Sequence, residues 1–290
     1  MIHIKSDEGI LSKLVESLPE LKQFHDPRCR SYNFFQAVSS ECVDRIFGKD
    51  GAQVGTFGAL GLINLPYFTM GAINSTHLFG LDELIIFSFY LKNRHKYKKV
   101  ADLGANIGLH TIVMSRIGFD VISYEPDPTH FVQLTSNIEL NNLETNPDLR
   151  NKAISAIQGE MEFVRVMGNT TGSHLAGSKD SPYGELEKFP VAVDGIQEIF
   201  ETVDFVKIDV EGHENVLLLA TELQNWINTD AIVEVGSEEN AIEIFEHFKK
   251  INVNLFSQKT AWSKVNSVDN MPKSYKEGSL FISVADDMPW

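Results

Sequence analysis

The sequence predicts an α/β fold, a mostly parallel doubly wound sheet with helices on both faces. Three observations predict it. From Val100 onward, short apolar runs alternate with segments of helical spacing, the pattern of a parallel sheet built from βαβ units. A glycine-bearing turn, G-A-N-I-G from Gly104 to Gly108, joins the first apolar run to the first of those helices. The second apolar run ends in an acid, Glu125, 23 residues after Asp102, a separation that suits the tips of neighbouring parallel strands.

Along the chain, residues 1–66 read as an N-terminal extension and residues 67–290 as the main domain. Ile10 to Leu18 has helical spacing and stops at Pro19, and Tyr32 to Phe47 also reads as helix. Leu81 to Arg94 is a stronger helix with one apolar stripe; Asp82 and Glu83 sit in its first turn and basic residues near its end, which complements the helix dipole. The basic run Lys92 to Lys99 is therefore read as a solvated helix end. Strands are expected at Val100–Leu103, Val121–Glu125, Asn151–Ser155, Phe205–Asp209, Ala231–Glu234, Val253–Ser257 and Leu280–Val284, with a β-rich excursion at Met161–Val166 and Phe189–Ile196. Helices are expected at Leu109–Arg116, His130–Asn141, Glu214–Asn225 and Asn240–Lys250. With no helix between them, the last two strands are expected to form an antiparallel edge pair, which makes seven main strands. Gly168 to Lys188 is rich in Gly, Ser and Thr and reads as a mobile loop.

Composition narrows the function. The chain has 290 residues, 43% of them hydrophobic, enough for a full core. A formal net charge of −15 argues against nucleic acid or an anionic membrane as the main partner and is compatible with a neutral small molecule, a saccharide or a peptide. Cys29 and Cys42 are too few for a disulfide framework, which points to free thiols in a reducing, cytoplasmic compartment. The opening M-I-H-I-K-S-D-E-G shows no secretory signal. Gly55 to Ile73 is apolar but carries four glycines, Asn64 and Pro66, too interrupted for a membrane span; it is a candidate pocket lid or homodimer surface.

The glycine turn decides the ligand class. A turn from strand to helix brings backbone N–H groups to a ligand, and glycines allow close approach. A dinucleotide fingerprint needs G-x-G-x-x-G; here Asn106 and Leu109 occupy the second and third glycine positions. Glu125 can accept both hydroxyls of a ribose. A third block, D-F-V-K-I-D-V-E-G-H-E from Asp204 to Glu214, ends a strand at Asp209 and opens a helix. Ligands of open α/β sheets sit where strand order reverses, so Asp102, Gly104, Asn106, Asp209 and Glu211 are expected to converge on one cleft. His213, with an ordinary pKa of about 6.5, is a candidate base. The alternative is that Asp209 and Glu211 cap the helix and His213 packs at its start. His174 is a second candidate base, and His110 is expected close to the cofactor.

Together, V-A-D-L-G-A-N-I-G, Y-E-P-D-P and V-K-I-D-V-E-G-H-E resemble the FkbM-type S-adenosylmethionine-dependent methyltransferases, over about Gly71 to the C-terminus. The resemblance implies a Rossmann-like sheet with an antiparallel last strand, and O-methylation of a hydroxyl on a sugar, polysaccharide or secondary metabolite. It implies that Gly104, Asn106 and Gly108 line the methionine moiety, with Asp102, Ala105 and Pro126 in the same cofactor-binding loops. Glu125 would hold the ribose, and Asp209, Glu211 and His213 would lie beside the transferable methyl. Ser75, Thr76 and His77 would contact the cofactor carboxylate or the acceptor, or simply cap a turn. Ala153, Ile154 and Ser155 are expected under the adenine, and Tyr67, Phe68 and Tyr183 could offer aromatic surface to a sugar. No compact metal motif is present, and the reading takes no metal, although Asp209, Glu211 and Glu234 could supply oxygen ligands. The rival readings are a non-catalytic binding module on the same fold and an NAD-linked oxidoreductase.

Overall fold

The computed structural model describes residues 2–178 and 184–290. It opens with helices α1 (Ile2–Ser17) and α2 (Arg30–Phe47). Helix α1 starts well before the expected Ile10. The Cys29 thiol accepts from the Tyr32 amide at 3.2 Å and caps α2. Two short hairpins follow, β1 (Val54–Thr56) with β2 (Leu62–Asn64), and β3 (Thr69–Met70) with β4 (Ile73–Asn74). Most of the apolar stretch read as lid or dimer surface is inside: Phe57, Leu60, Ile63 and Leu65 are buried. Asn141 ties it down, accepting from the Asn64 amide at 2.9 Å and donating to its carbonyl at 2.7 Å.

Helix α3 (Leu81–Lys92) is buried almost all round, from Leu81 through Tyr90, rather than along one stripe. A helix that is apolar on every side must be covered on every side. Here α1 and α2 cover one face, where Phe47, Phe57 and Phe79 stack at centroid distances of 4.5–5.8 Å. The sheet covers the other, where Phe89 meets Phe205 and Phe281 at 5.8 and 5.5 Å. The N-terminal residues therefore share one hydrophobic core with the sheet. The basic run after α3 is not simply solvated: Tyr97 is buried, and Tyr97 and Lys96 both donate to Asp230, at 2.7 and 2.6 Å.

The main domain continues with β5 (Lys99–Leu103), α4 (Leu109–Arg116), β6 (Asp120–Tyr124), α5 (Pro128–Asn141) and β7 (Asp148–Arg150). Then come β8 (Ala153–Ser155), β9 (Gly159–Val166), β10 (His174–Leu175), β11 (Leu186–Gly195) and α6 (Ile196–Phe200). The chain ends with β12 (Phe205–Ile208), α7 (Glu214–Leu219), α8 (Leu223–Trp226), β13 (Asp230–Glu234), α9 (Glu238–Ile251), β14 (Asn254–Ser257), β15 (Ser263–Lys264) and β16 (Ser279–Ser283).

The main sheet has eight strands among the described residues, in the order β7-β6-β5-β12-β13-β16-β14-β15, one more than expected because of the two-residue β15. Strands β7 through β13 run parallel, and β16 is antiparallel to both β13 and β14. Order reverses between β5 and β12. Helices α3 and α4 pack on one face and α6 to α9 on the other. The described residues hold no helix long and apolar enough to cross a membrane.

Three expectations are corrected. The third strand, expected at Asn151–Ser155, is two: β7 joins the main sheet, while β8 pairs with β11 in a second sheet ordered β10-β9-β11-β8. The expected mobile loop contributes to that sheet, since His174 and Leu175 pair with Val164 and Phe163, and Leu186 to Lys188 extend β11; Tyr183 lies outside the described residues. The helix expected over Glu214–Asn225 breaks between α7 and α8, because Glu222 takes an extended conformation and starts a new capping box with Asn225.

Because α1 and α2 belong to the main core, Phe47→Ala is expected to cost about 3–5 kcal/mol within a single cooperative transition, read by denaturant unfolding. A separate early transition for the N-terminal residues would contradict this packing.

Candidate active site

The turn after β5 sits at the point where strand order reverses. Gly104 has φ +83°, and a Cβ there would lie 1.8 Å from the Asp209 carbonyl oxygen, so only glycine lets the loops after β5 and β12 touch. The turn's N–H groups are not bare, as the sequence suggested. The amides of Gly104 and Ala105 donate to the Tyr124 carbonyl, at 3.0 and 2.9 Å, and that of Gly108 to the Ala105 carbonyl at 2.8 Å. Asn106, at φ +52°, donates its amide to Glu125 Oε2 at 2.8 Å. The turn thus binds the end of β6 to itself and presents side chains, not amides, to the space beyond.

That space is an open cleft. Gly104, Asn106, Glu125, Pro126, Ala153, Ile154, His174, Asp209 and Glu211 of the expected residues line it. Asp102, Ala105, Gly108, Ser155 and His213 lie behind its walls, and Gly108 caps α4 in a left-handed conformation. Ser75, Thr76 and His77 form a turn capped by Asn74 and do not reach the cleft. His110 lies within hydrogen-bond distance of Tyr90 (3.0 Å) and Glu83 (2.8 Å), also off the cleft.

Glu125 is buried, and its two oxygens accept from the amides of Asp127 and Asn106, each at 2.8 Å. Burial raises its pKa to about 8; the nearby charges of Asp127 and Asp102 add to the rise, and the amide bonds oppose it. Asp127 is held by a fork from Arg165 of β9, at 2.6 and 2.5 Å. Burial disfavours the Asp127 charge, but the guanidinium outweighs it and keeps this carboxyl below its ordinary range. His130 lies 2.9 Å from the Thr170 hydroxyl, so the second sheet is fastened over the Glu125 end of the cleft. Neither Arg165 nor Thr170 stood out in the sequence, because their partners are far along the chain.

At the other end, Asp209 follows β12. Strand register sets Lys207 opposite Asp102, on the sheet face of α3 and α4. Its ammonium lies 3.2 Å from Asp209 and 3.8 Å from Asp102. Burial works against the Lys207 charge, yet the two carboxylates win and lift its pKa above the ordinary value. Burial likewise works against Asp209, but Lys207 holds it below the usual carboxylate range. Glu234 at the end of β13 is pushed well above its usual range by burial and by the charges of Asp209 and Glu211. A lysine inside V-K-I-D, in a strand otherwise apolar, was the signal in the sequence that could have marked this ion group.

The turn after Asp209 is unusual: Glu211 has φ +55° and Gly212 φ +100°. Glu214 reaches back to accept from the amides of Val210 and Gly212, at 3.2 and 3.0 Å, which fixes that turn. His213 is buried, with its two ring nitrogens 2.9 Å from the hydroxyls of Ser155 and Ser178, and burial lowers its pKa to about 4. His174 is also buried, its Nδ1 3.0 Å from the Gly172 carbonyl.

One buried oxygen on the cleft wall, Asn106 Oδ1, has no hydrogen-bond partner among the described residues, whereas the Asp209 carboxylate is hydrogen-bonded to the Glu234 carboxyl. Such an orphaned atom marks a place where a donor from a ligand fits. Asp209 also lines a second, small cavity, together with Asp82, Glu83, Lys207, Glu234, Tyr275 and Ser279. No group of three or more His, Cys, Asp or Glu among the described residues has the arrangement of a metal site.

The family model described as the methyltransferase FkbM domain matches residues 102–259, just over half of the chain. No curated protein matches the sequence significantly. Among solved structures, the chain is similar to the SAM-dependent methyltransferase from Agrobacterium tumefaciens, with 11% identity over 69% of this chain and 61% of that one and a TM-score of 0.37. It is similar to the O-methyltransferase from Bacillus cereus in complex with SAH, with 12% identity over 67% and 78% of the two chains and a TM-score of 0.34. It is also similar to precorrin-6y C5,15-methyltransferase from Geobacter metallireducens, with 9% identity over 66% and 82% and a TM-score of 0.36.

The carboxyls with raised pKa set a pH dependence. Glu125 (about 8), Glu214 (about 7) and Asp82 (about 6) keep protons in the folded state that the unfolded chain releases near its ordinary range. Their contribution to stability is whole at low pH and falls as pH rises through those values. His25 and His213, lowered to about 4, act oppositely and cost stability as pH drops below about 6.5. The ligand-free protein should therefore lose about 3 °C or more of melting midpoint between pH 6.5 and 8.5, and Glu125→Gln should flatten that loss. A midpoint that rises over this range would contradict the assignment.

Proposed function

The chain belongs to the FkbM methyltransferase family, and on that premise we propose that it transfers a methyl group from S-adenosylmethionine to a hydroxyl of a sugar, polysaccharide or secondary metabolite. One observation carries the cofactor assignment. A single cleft gathers the Glu125 carboxyl at the end of β6, the orphaned Asn106 Oδ1, and Asp209 at the end of β12.

These residues fit the cofactor. Glu125 receives only two amide bonds, so its remaining lone pairs suit the two ribose hydroxyls. Asn106 Oδ1 suits the cofactor's ammonium. Ala153, Ile154, Phe163 and Leu175 form an apolar wall for the base. When bound, the cofactor supplies an activated methyl on a sulfonium, so the protein's own work is alignment and removal of one proton.

Of the residues read as catalytic, Asp209 is the best placed for that proton. It lines both cavities, Lys207 keeps it ionised, and a hydrogen bond with Glu234 orients it. The acceptor hydroxyl would lose its proton to Asp209 as its oxygen takes the methyl, whose bond to sulfur would break to leave S-adenosylhomocysteine. His213 is better suited to positioning: both nitrogens are engaged by Ser155 and Ser178, which links β8 to the segment after β10. Glu211 and His174 line the cleft and would shape the space around the reacting groups. Residues 1–66 would act as a cover that holds α3, and with it Asp82 and Glu83, in place.

Calorimetric titration with S-adenosylhomocysteine tests the cofactor reading. Micromolar binding is expected, weakened about 10- to 100-fold in Glu125→Ala, with no binding of NAD. Preference for NAD, or no effect of the variant, would refute it. For the proton acceptor, Asp209→Asn should lower turnover of labelled methyl about 100-fold or more while S-adenosylhomocysteine affinity changes by less than about 3-fold. Full turnover in that variant would remove Asp209 from the role.

A further inference from the structure

One wall of the cleft is the connection from β9 to β10. It leaves the small sheet after Val166 and rejoins it at His174. Thr170, Thr171, Ser173, His174 and Leu175 line the cleft from this side. A turn outside its ladder is only as firm as the contacts that reach it. One comes from His130, 2.9 Å from the Thr170 hydroxyl. Another comes from far back along the chain, at the tip of the β3–β4 hairpin. There the Ala72 amide donates to the Gly168 carbonyl at 2.8 Å, and Gly71 pairs with Asn169 as an antiparallel bridge. Resting on the cofactor reading above, we propose that Gly71 is a positioning residue of the cofactor site: its turn latches residues 168–175 in place as a wall of the cleft, and so sets how tightly the cofactor is held.

The contact requires glycine. Gly71 has φ +77°, and a Cβ there would fall on the carbonyl carbon and oxygen of Gly168. Both are main-chain atoms, so no change of rotamer relieves the clash, and the wall itself would have to move. The root of the hairpin is firm. Met70 is buried in the main core. The Ser75 amide donates to the Phe68 carbonyl at 2.9 Å, and the Phe68 amide donates to Ser75 Oγ at 3.0 Å. Phe68 also meets the His130 ring edge-on, with centroids 6.4 Å apart, so both contacts with the wall start from the same root. The tip is exposed and reaches the wall with backbone atoms. A wall already in place costs the cofactor no ordering on binding, whereas a loosened wall must be ordered at the expense of affinity.

Two measurements on the full-length protein test this: hydrogen–deuterium exchange without ligand, and calorimetric titration with S-adenosylhomocysteine. In Gly71→Ala, amides of residues 168–175 should exchange about 5-fold faster or more, while those of β5 and β12 exchange as in the unaltered protein, which shows that the variant is folded. The Kd for S-adenosylhomocysteine should rise about 5-fold or more. Ala72→Pro removes the same bond from its donor side and should act alike; it carries the test if Gly71→Ala does not fold. Gly118, at φ +95°, has nothing within 4 Å of where a Cβ would stand, so Gly118→Ala matches the backbone strain away from the wall. It should leave both readings within about 2-fold. Unchanged exchange at residues 168–175, faster exchange with unchanged affinity, or an equal loss in Gly118→Ala would each overturn the latch and leave the cofactor reading intact. Failure of the unaltered protein to bind S-adenosylhomocysteine would overturn that reading, and the latch with it.

Discussion

The buried ammonium of Lys207, set between Asp102 and Asp209, is the constraint on which the site depends. A lysine in the middle sheet cannot be desolvated without partners; the cost would be several kcal/mol. Register places Asp102 opposite it on β5, and Asp209 two residues on lies along the same face. The charge group therefore ties the two strands that flank the reversal of strand order, at the point where a ligand must sit. Asp102 is further locked by the Thr111 hydroxyl at 2.7 Å, which is itself 2.8 Å from Ser123. Polar pairing thus runs from α4 through β6 and β5 to β12, and it aims Asp209 outward.

A second set of contacts completes the cleft from outside the main sheet. Strands β8 to β11 form a small sheet of their own, held to the start of α5 by the Arg165–Asp127 fork and to the start of α7 by His213 between Ser155 and Ser178. Burial keeps His213 neutral, so its ring can bridge two hydroxyls without an uncompensated charge. This makes the histidine a fastener between layers. The same sheet brings Phe163, Thr170 and Leu175 to the wall, which gives the cleft an apolar side opposite Glu125.

The N-terminal helices act at one remove. By covering the outer face of α3 they allow that helix to be apolar all round, and so to press Phe89 and Tyr90 against Phe205 beneath Lys207. The first turn of α3 then faces the second cavity with Asp82 and Glu83. A segment with no chemistry of its own thereby fixes the charge of the space next to Asp209.

Much of this was legible in the sequence. Alternation of apolar runs with helical spacing specified the parallel sheet, because burial on both faces leaves few other solutions. The acid after β6 and the glycines of the turn after β5 marked the cleft, since close approach of two loops and a carboxyl that anchors two backbone amides require those residue types at those places. What the sequence left open concerns contacts between residues distant along the chain. It could not say that the turn's amides would be consumed by Tyr124 and Glu125, or that Arg165 would neutralise Asp127. Nor could it say that His213 would be walled in by two serines while Asp209 lined the cleft beside Lys207. Local pattern determines which face a side chain takes and where a strand ends. Whether a titratable group there is desolvated, paired or left bare depends on which other elements fold over it, and only the tertiary structure decides that.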